Sequence, residues 1–362
     1  MWIEFIFSFL FAIILFVSIC GNLLILWIIL GHRGMRTVPN FFLLNLAIAD
    51  LGIAVLNTIP SFLFMRDGVW VFGRTYCKFN TFTSYLTVSA SIFTLLALTV
   101  NRHKAIVTPL KAKATCCQLT FSLIGIWLVS GVLSLPGLLL SDLHRISRSE
   151  EAYVCIMIWW DGFQGQSQFD FIYNMVLFVV TYVLPLIFMC FAYTRMCRVL
   201  NQKVIGESTP SSEAGRLKKK QVIKMFSLVV GLFALCWLPY HLYFLIMYAA
   251  PHLAKSPVIR PLYLCIYWLA MSNSCINPII YYFWNQRFRK HFDNIFRRII
   301  PVYASWNSNT EPQQNPPVLN GRLSEPVPPG EPGDELPLPE NNQNNGELRG
   351  NTSTERHMRK KI

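Results

Sequence analysis

Long apolar stretches separated by short polar ones make up most of the chain, up to about residue 300. A helix needs about 20 predominantly apolar residues to cross the hydrocarbon core of a bilayer, and seven stretches reach that length. They cover residues 5–30, 41–65, 79–100, 119–140, 171–190, 222–249 and 262–284. The pattern therefore predicts an all-α integral membrane protein, with a bundle of seven transmembrane helices over residues 5–284.

The segments that flank this bundle differ from it in composition. Residues 1–4 predict a very short segment before the first span. Residues 285–300 alternate apolar and basic side chains at helical spacing, which predicts an amphipathic helix in the membrane surface. Its apolar side would contain Phe288, Phe292, Ile295 and Phe296. Residues 301–362 are rich in Pro, Asn, Glu and Gly, which cannot bury a core, so they predict a disordered tail.

Composition supports the membrane interpretation. Of the 362 residues, 53% are hydrophobic and only 14% are charged, whereas roughly 25% of the residues in a soluble domain are charged. The net charge of +13 could indicate nucleic-acid binding, but the basic residues lie in short runs between apolar segments. Such runs are typical of loops that face anionic lipid, so membrane lipid is the expected partner and nucleic acid is not.

The distribution of basic residues also predicts the orientation. Lys and Arg are concentrated in the loops that follow the first, third and fifth spans, including residues 216–224. Cytoplasmic loops carry an excess of Lys and Arg, so the N-terminus is expected outside and the C-terminus in the cytosol.

Polar residues and prolines within the spans are candidates for function. Asp50 lies in the second span, where a carboxylate is costly and usually faces the bundle interior. Arg102 ends the third span, where its side chain could simply extend to the lipid headgroups. Proline kinks a helix because it lacks an N–H donor, so spans four to seven are predicted to bend. Their prolines are Pro136, Pro185, Pro239 and Pro278.

Two cysteines fall on the predicted outer side. Cys77 precedes the third span, and Cys155 lies in the long loop after the fourth. Disulfides persist in an oxidising environment, so we expect these two thiols to be joined and to hold that loop against the third span. The remaining cysteines lie in spans or on the inner side and are expected to pack as small hydrophobic residues.

Taken together, these residues resemble a rhodopsin-like (class A) G-protein-coupled receptor over about residues 21–292. The resemblance depends on their order and spacing: Asn22, Leu46-Ala47-Ile48-Ala49-Asp50, Cys77 with Cys155, Arg102, Trp127, Pro185, Cys236-Trp237-Leu238-Pro239 and Asn277-Pro278-Ile279-Ile280-Tyr281. Other segments are similar to tachykinin (neurokinin) receptors, especially the invertebrate tachykinin-like branch. They include Leu56-Asn57-Thr58, Tyr76-Cys77-Lys78-Phe79, residues 236–244 and residues 267–273.

The tachykinin resemblance implies a receptor in the plasma membrane, not an enzyme. Its ligand would be a short amidated neuropeptide, and it would signal through a heterotrimeric G protein, with Gq as the expected type. The implied ligand-binding residues are Asn57, His241, Phe244 and Tyr263, although ordinary bundle packing explains Phe244 and Tyr263 equally well. Residues 81–86 of the third span contain no acid to pair with an amine transmitter. The alternative is a receptor for another amidated neuropeptide, neuropeptide Y-like or leucokinin-like.

The resemblance also implies an ion site. An oxygen-rich pocket would hold an allosteric Na⁺ that favours the inactive state, and no other cofactor is expected. Its residues would be Asp50, Ser91, Asn273, Ser274 and Asn277.

A set of switch residues would connect the ligand to the G protein. Those beneath the ligand would be Ile92, Pro185, Phe233, Trp237, Pro239 and Pro278. At the inner end, Arg102, Tyr193 and Tyr281 would rearrange as the sixth span swings outward and opens a cleft for the G protein.

The sequence departs from the family pattern at three places. Asn101 stands where an acid is expected before Arg102, and His103 stands where a tyrosine is expected, so we expect raised basal signalling. No cysteine follows Cys275, so the usual palmitoyl anchor after the seventh span is missing.

Receptor kinases and arrestin are expected partners of the tail. Candidate phosphorylation sites are Ser305, Ser308, Thr310, Ser324 and residues 352–354.

Two other membrane classes fit less well. A transporter or channel would be expected to show repeat symmetry or more charge inside the membrane. A membrane enzyme would need clustered catalytic side chains, and Asp50 has no catalytic partner nearby in the sequence.

Overall fold

The computed structural model describes residues 2–108, 115–146, 152–202 and 210–299. The predicted disordered tail and its candidate phosphorylation sites lie outside these residues. Within them, the helices are α1 (Trp2–Gly31), α2 (Val38–Gly52), α3 (Ile59–Asp67), α4 (Gly73–Val107), α5 (Cys116–Leu140), α6 (Gln168–Phe178), α7 (Leu184–Asn201), α8 (Pro210–Ala249), α9 (Ile259–Trp284) and α10 (Gln286–Ile299). The strands are β1 (Ser141–Arg145), β2 (Tyr153–Trp159) and β3 (Gly162–Phe163).

These helices form seven spans, which confirms the predicted all-α class. The second span consists of α2 and α3, the fifth of α6 and α7, and each of the other five is a single helix. Six of the spans in the described residues are apolar and long enough to cross a membrane by composition alone. The seventh, α9, is less apolar because buried Ser272, Asn273, Ser274 and Asn277 lie along it.

The third span, α4, lies at the centre of the bundle. It packs against α2, α5 and α7, while α1 packs against α2 and α9, and α8 against α7 and α9. The side chains that fill the interior form two buried clusters. One surrounds Leu98 and Tyr193 near Arg102, and the other surrounds Phe233 and Trp237. We call the two ends of the bundle the Arg102 end and the disulfide end.

Two spans contain a widened turn beside a proline. π-Helical segments run over Val179–Val183, before Pro185, and over Ile53–Thr58, before Pro60. Proline cannot donate the usual backbone hydrogen bond, and one wide turn accommodates the loss. The irregularity at Pro185 was predicted, whereas the one at Pro60 was not. Asn57 lies within the second of these segments.

A β-hairpin covers the disulfide end. β1 and β2 pair antiparallel, with Leu143 opposite Cys155 and Ser141 opposite Met157, and β3 extends the sheet. The predicted Cys77–Cys155 disulfide is present and joins β2 to α4. The hairpin itself was not predicted, although the β-branched and aromatic run in β2 is typical of a strand.

Candidate functional site

A cavity of about 300 Å³ lies in the disulfide-end half of the bundle. Trp237 of α8 contributes to its wall, and β2 contributes Cys155, Ile156 and Met157. The other walls come from α4, α6, α8, α9 and the turn that contains Asn57. The cavity is therefore built where the hairpin, held by the disulfide, meets the ends of the helices.

Asn57 lines this cavity and is held by its neighbours. Its Oδ1 accepts hydrogen bonds from Tyr267 Oη at 3.2 Å and from Ser61 Oγ at 3.0 Å. Its amide nitrogen makes no hydrogen bond within the described residues, so two N–H donors are available to a ligand. The π-helical turn places this side chain in the cavity wall, because a wide turn shifts the helical register by one residue.

His241 lines the cavity on α8 and lies among aromatic rings. Its ring centroid is 5.1 Å from that of Phe178, 4.9 Å from Tyr182 and 6.2 Å from Trp237. The imidazole makes no hydrogen bond to any other side chain that the structure describes. It therefore presents a polar edge to the cavity from an apolar surrounding, which suits a hydrogen bond to a ligand.

Phe244 and Tyr263 also line the cavity, and both pack against other rings. The centroid of Phe244 lies 4.9 Å from that of Tyr240 and 6.2 Å from that of Tyr263. Tyr263 in turn lies 6.1 Å from Tyr267. These contacts fit both a ligand-binding role and ordinary packing for the two residues. The same ring faces stabilise the bundle and form part of the cavity wall.

Several cavity residues were not predicted from the sequence. They are mainly polar and aromatic: Asn80, Ser84 and Tyr85 of α4, Asn174 of α6, Tyr240 and Tyr248 of α8, and Gln164 after β3. Asn80 is the most notable, because its Oδ1 is buried without a hydrogen-bond partner in the described residues. The available signal was helical spacing, since Asn80 and Ser84 lie one turn apart on the same face after Cys77.

The charge of the lining decides which ligands fit. None of the described residues that line the cavity is an Asp or Glu. Aromatic, amide, hydroxyl and imidazole groups predominate instead. Such a surface recognises neutral hydrogen-bonding groups and aromatic rings, and it offers no carboxylate to balance an ammonium group.

The predicted ion-site residues lie together in the middle of the bundle. Asp50 is fully buried, and its carboxylate accepts hydrogen bonds from Ser91 Oγ at 3.4 Å and from Asn277 Nδ2 at 2.8 Å. Ser274 is also buried, on the same helix as Asn277. Asn273 is buried one turn from Asn277. Asp50 has no ion-pair partner in the described residues. A buried carboxylate thus faces polar side chains of α4 and α9, which is a suitable environment for a hard cation.

Several predicted switch residues lie in the buried interior beside the cavity. Phe233, Trp237 and Ile92 belong to one buried cluster, and the Phe233 and Trp237 ring centroids are 6.3 Å apart. Trp237 Nε1 is buried without a hydrogen-bond partner in the part of the chain described. Pro239 lies two residues beyond Trp237 in α8, and Pro185 is the second residue of α7.

Pro278 of α9 is packed unusually closely. Gly21 of α1 lies so near it that a Cβ atom at position 21 would come within 2.7 Å of the proline side chain. Beside this contact, Asn22 Nδ2 donates to the Ser274 carbonyl at 3.0 Å. The contact and the hydrogen bond hold the first and seventh spans together at the proline.

At the Arg102 end, the arginine forms no ion pair with an acid among the residues that the structure describes. Its guanidinium carbon lies 5.5 Å from the centroid of the Phe226 ring, and its Nε is buried without a partner among the described atoms. Tyr193 hydrogen-bonds Thr99 at 3.1 Å. The Tyr281 ring packs near Phe288 of α10, and its hydroxyl has no described partner. The three predicted residues therefore do not hydrogen-bond one another in this conformation.

The sequence of this bundle matches a known family. Residues 21–281 match the family model described as 7 transmembrane receptor (rhodopsin family). The chain belongs to this family. The predicted resemblance is thereby confirmed, and as a receptor of this family the protein is a multi-pass membrane protein and not an enzyme.

Individual relatives of the receptor are more specific. It is 43% identical over 293 residues to the tachykinin-like peptides receptor 86C of Drosophila melanogaster, an alignment of 80% of this chain and 58% of that protein. It is 38% identical over 333 residues to the tachykinin-like peptides receptor 99D of the same species, covering 89% and 62%. It is 35% identical over 288 residues to the human substance-P receptor, covering 79% and 70%. The chain thus spans about three-fifths of the length of the two insect relatives.

The receptor also carries an ion pair beside the cavity. Arg74 Nε donates to Asp142 Oδ1 at 2.6 Å, which links the start of α4 to β1 near the disulfide. The hydrogen bond from Arg74 holds the pKa of Asp142 below its usual value. Because both side chains are exposed in part, this pair orients the hairpin more than it stabilises the fold.

Proposed function

We propose that the protein is a receptor for a short, C-terminally amidated neuropeptide of tachykinin type. It would lie in the plasma membrane, with its N-terminus outside, and signal through a heterotrimeric G protein of the Gq type. The observation that supports this most is the cavity, which lies inside a rhodopsin-family bundle and is lined by amide, imidazole and aromatic side chains without an acid. The names of the similar receptors support the ligand class.

The lining suits the chemistry of such a peptide. A terminal carboxamide has both donors and a carbonyl acceptor, and it can bond to Asn57 Nδ2 and to the His241 ring. Aromatic peptide side chains can pack on Tyr240, Phe244 and Tyr263. An ammonium ligand would find no carboxylate in the described lining, which makes an amine transmitter a poor fit.

The Arg102 end would face the cytosol and receive the G protein. Basic side chains at the start of α8, including Arg216 and Lys224, lie at this end, in agreement with the positive-inside rule. Outward movement of α8 would open a cleft beside Arg102, which a helix of the G protein would enter. Receptor kinases and arrestin would act on the tail, which lies outside the described residues.

The cluster around Asp50 would bind Na⁺ as an allosteric ligand. Ser91 and Asn277 bond to the carboxylate, Ser274 is buried on the same helix as Asn277, and all three could supply further oxygen ligands. Sodium would shift the equilibrium toward the inactive state only if it binds that state more tightly.

Intracellular calcium in cells that express the full chain tests the ligand and coupling together. We expect a response to amidated tachykinin-like peptides and a response at least about tenfold weaker to the same peptides with a free carboxylate. The described lining has no Lys or Arg to pair with that added charge. Surface labelling of an epitope tag on the same cells shows that the receptor has reached the membrane.

Two other results would contradict the tachykinin assignment. A response to neuropeptide Y-like or leucokinin-like peptides, without one to tachykinin-like peptides, would favour the alternative ligand. Silence to all amidated peptides in cells with normal surface labelling would count against the proposed ligand class with Gq coupling.

A further inference from the structure

Two adjacent free cysteines form the first turn of α5. Cys116 and Cys117 are both exposed, and neither takes part in a disulfide or a hydrogen bond through its thiol in the described residues. The turn itself is firmly capped. Gln118 N donates to Thr115 Oγ1 at 3.3 Å, and Thr115 N donates to Gln118 Oε1 at 3.2 Å. The thiols are therefore held on ordered backbone at the start of a helix.

This turn lies at the Arg102 end and at the membrane boundary. The 25 residues of α5 extend about 37 Å, which exceeds the roughly 30 Å thickness of the hydrocarbon core. The first turn of the helix is therefore expected at the level of the headgroups. In the proposed orientation, that is the cytosolic side, where fatty acyl–coenzyme A and membrane acyltransferases are present.

A continuous apolar stripe starts at Cys117 and runs along the outside of α5. Phe121 is 75% exposed and Leu128 is 64% exposed, values typical of side chains that face lipid. The stripe follows a helical spacing of three or four residues from Cys117. Its members are Phe121, Ile124, Leu128, Val132, Leu135 and Leu139. A hydrocarbon chain attached at Cys117 would lie along this stripe.

We propose that Cys117, with Cys116 as a second acceptor, is modified by a long-chain fatty acid in thioester linkage. The cysteine sulfur attacks the carbonyl carbon of a fatty acyl–coenzyme A and forms a new C–S bond. The bond to coenzyme A breaks, and coenzyme A leaves as a thiol that carries the proton lost by the cysteine. No oxidant or reductant is needed. The modification would anchor the second loop of the Arg102 end.

Other exposed cysteines of the described chain are less suitable acceptors. Cys20 lies 11 residues before the end of α1, and Cys190 lies 11 residues before the end of α7, which places each about 16 Å along the helix from its end. Cys265 lies in the disulfide-end half of α9. Cys197 is the strongest rival, because it lies four residues before the end of α7 at the Arg102 end.

Acyl exchange on the full chain tests the proposal. Free thiols are blocked, thioesters are cleaved with hydroxylamine, and the released thiols are labelled with a polyethylene glycol maleimide that shifts the band on a gel. We expect a hydroxylamine-dependent shift in the wild type and its loss in the double variant Cys116→Ser/Cys117→Ser. Cys190→Ser and Cys197→Ser are the controls and should keep the shift.

A second measurement uses only the wild-type protein, so it does not depend on the folding of a variant. Trypsin releases residues 114–145, a fragment whose only cysteines are Cys116 and Cys117. We expect mass spectrometry to find a fatty acyl mass on this fragment that hydroxylamine removes. Absence of any such mass, or a shift that survives in the double variant and is lost in Cys197→Ser, would overturn the proposal.

Discussion

At the scale of single residues, Asn101 is the departure from the family pattern with the clearest expected effect on signalling. Its neighbour Arg102 lies over the Phe226 ring and forms no ion pair in the described residues. An acid at position 101 would hold the arginine in the resting conformation by charge attraction. We therefore expect Asn101→Asp to lower basal inositol phosphate production up to about fivefold, since a partly exposed ion pair contributes at most about 1 kcal/mol.

The matched control for this change is Asn101→Gln. It keeps an uncharged amide at the same position and should leave basal signalling at the wild-type level. Basal production must be compared at equal surface expression. A wild-type receptor without basal signalling, or an Asp variant that signals like the Gln variant, would show that the charge at position 101 does not set the resting state.

Which functional residues the sequence could reveal depends on how unusual they are in a membrane. Asp50 was a candidate because a carboxylate in hydrocarbon is costly and stands out, whereas Asn277 became one through the family resemblance. Asn80, Asn174 and Tyr240 were not, because polar and aromatic residues are also common near the ends of ordinary spans. Their role as lining depends on how the helices are rotated against one another, which the spacing of one helix does not specify.

At the scale of helices, the contact between α1 and α9 should be intolerant of added volume. An alanine at position 21 would bring its Cβ within 2.7 Å of Pro278, so the two helices would have to separate. Overpacking of this kind typically costs about 1–3 kcal/mol. We expect Gly21→Ala to lower the thermal midpoint of the purified receptor in detergent.

A second glycine provides the control for this substitution. Gly125 lies within α5, and no atom lies within 4 Å of a Cβ built there. Gly125→Ala should leave the midpoint unchanged or raise it slightly, because alanine favours the helix by up to about 1 kcal/mol over glycine. Equal midpoints for the two variants would mean that α1 and α9 can separate without cost.

The contact between α10 and the end of α1 should depend on pH. The rings of His291 and His32 lie 4.1 Å apart, and burial, together with the nearby His32, lowers the pKa of His291. A lowered pKa means that the packed state disfavours the protonated ring. The contact is therefore fully stable above the ordinary histidine pKa of about 6.5 and weakens as the pH falls through that value.

Hydrogen exchange of residues 286–299, corrected for intrinsic rates, measures this effect. We expect faster exchange at pH 5.5 than at pH 7.5 in the wild type. His291→Phe keeps a ring at the contact but cannot titrate, so its corrected exchange should not change with pH. The same pH dependence in both proteins would exclude His291 as its origin.

Helix irregularities show the limits of sequence analysis at this scale. The number and order of the spans followed from hydropathy, because a helix needs about 20 apolar residues to cross the bilayer. Their lengths did not, since α4, α7 and α8 extend beyond the predicted apolar stretches. Proline marks where a helix can be irregular, but not which irregularity forms. The α8 and α9 helices run continuously through Pro239 and Pro278, whereas Pro60 and Pro185 follow π-helical turns. That difference matters, because one of these turns positions Asn57.

At the scale of the whole molecule, the cavity and the Arg102 end are connected by buried contacts. Trp237 borders the cavity, and Phe233 packs against it one turn closer to the Arg102 end. Asp50 bonds to α4 and α9 in the same central region. Elements that connect the two ends therefore also surround the proposed ion site. Peptide binding and sodium binding should accordingly be coupled.

This coupling can be measured as a change in peptide affinity with sodium. We expect agonist affinity to fall about fivefold or more when NaCl replaces an equal concentration of N-methylglucamine chloride, so that ionic strength is constant. Asp50→Asn removes the charge that would hold the ion and should abolish the effect. Ser91→Ala removes only one oxygen from the cluster and should reduce it.

Because coupling between two ligands is reciprocal, saturating agonist should weaken sodium binding by the same factor. An affinity that is equal in both salts, or a sodium effect that persists in Asp50→Asn, would show that the carboxylate cluster is not an allosteric sodium site.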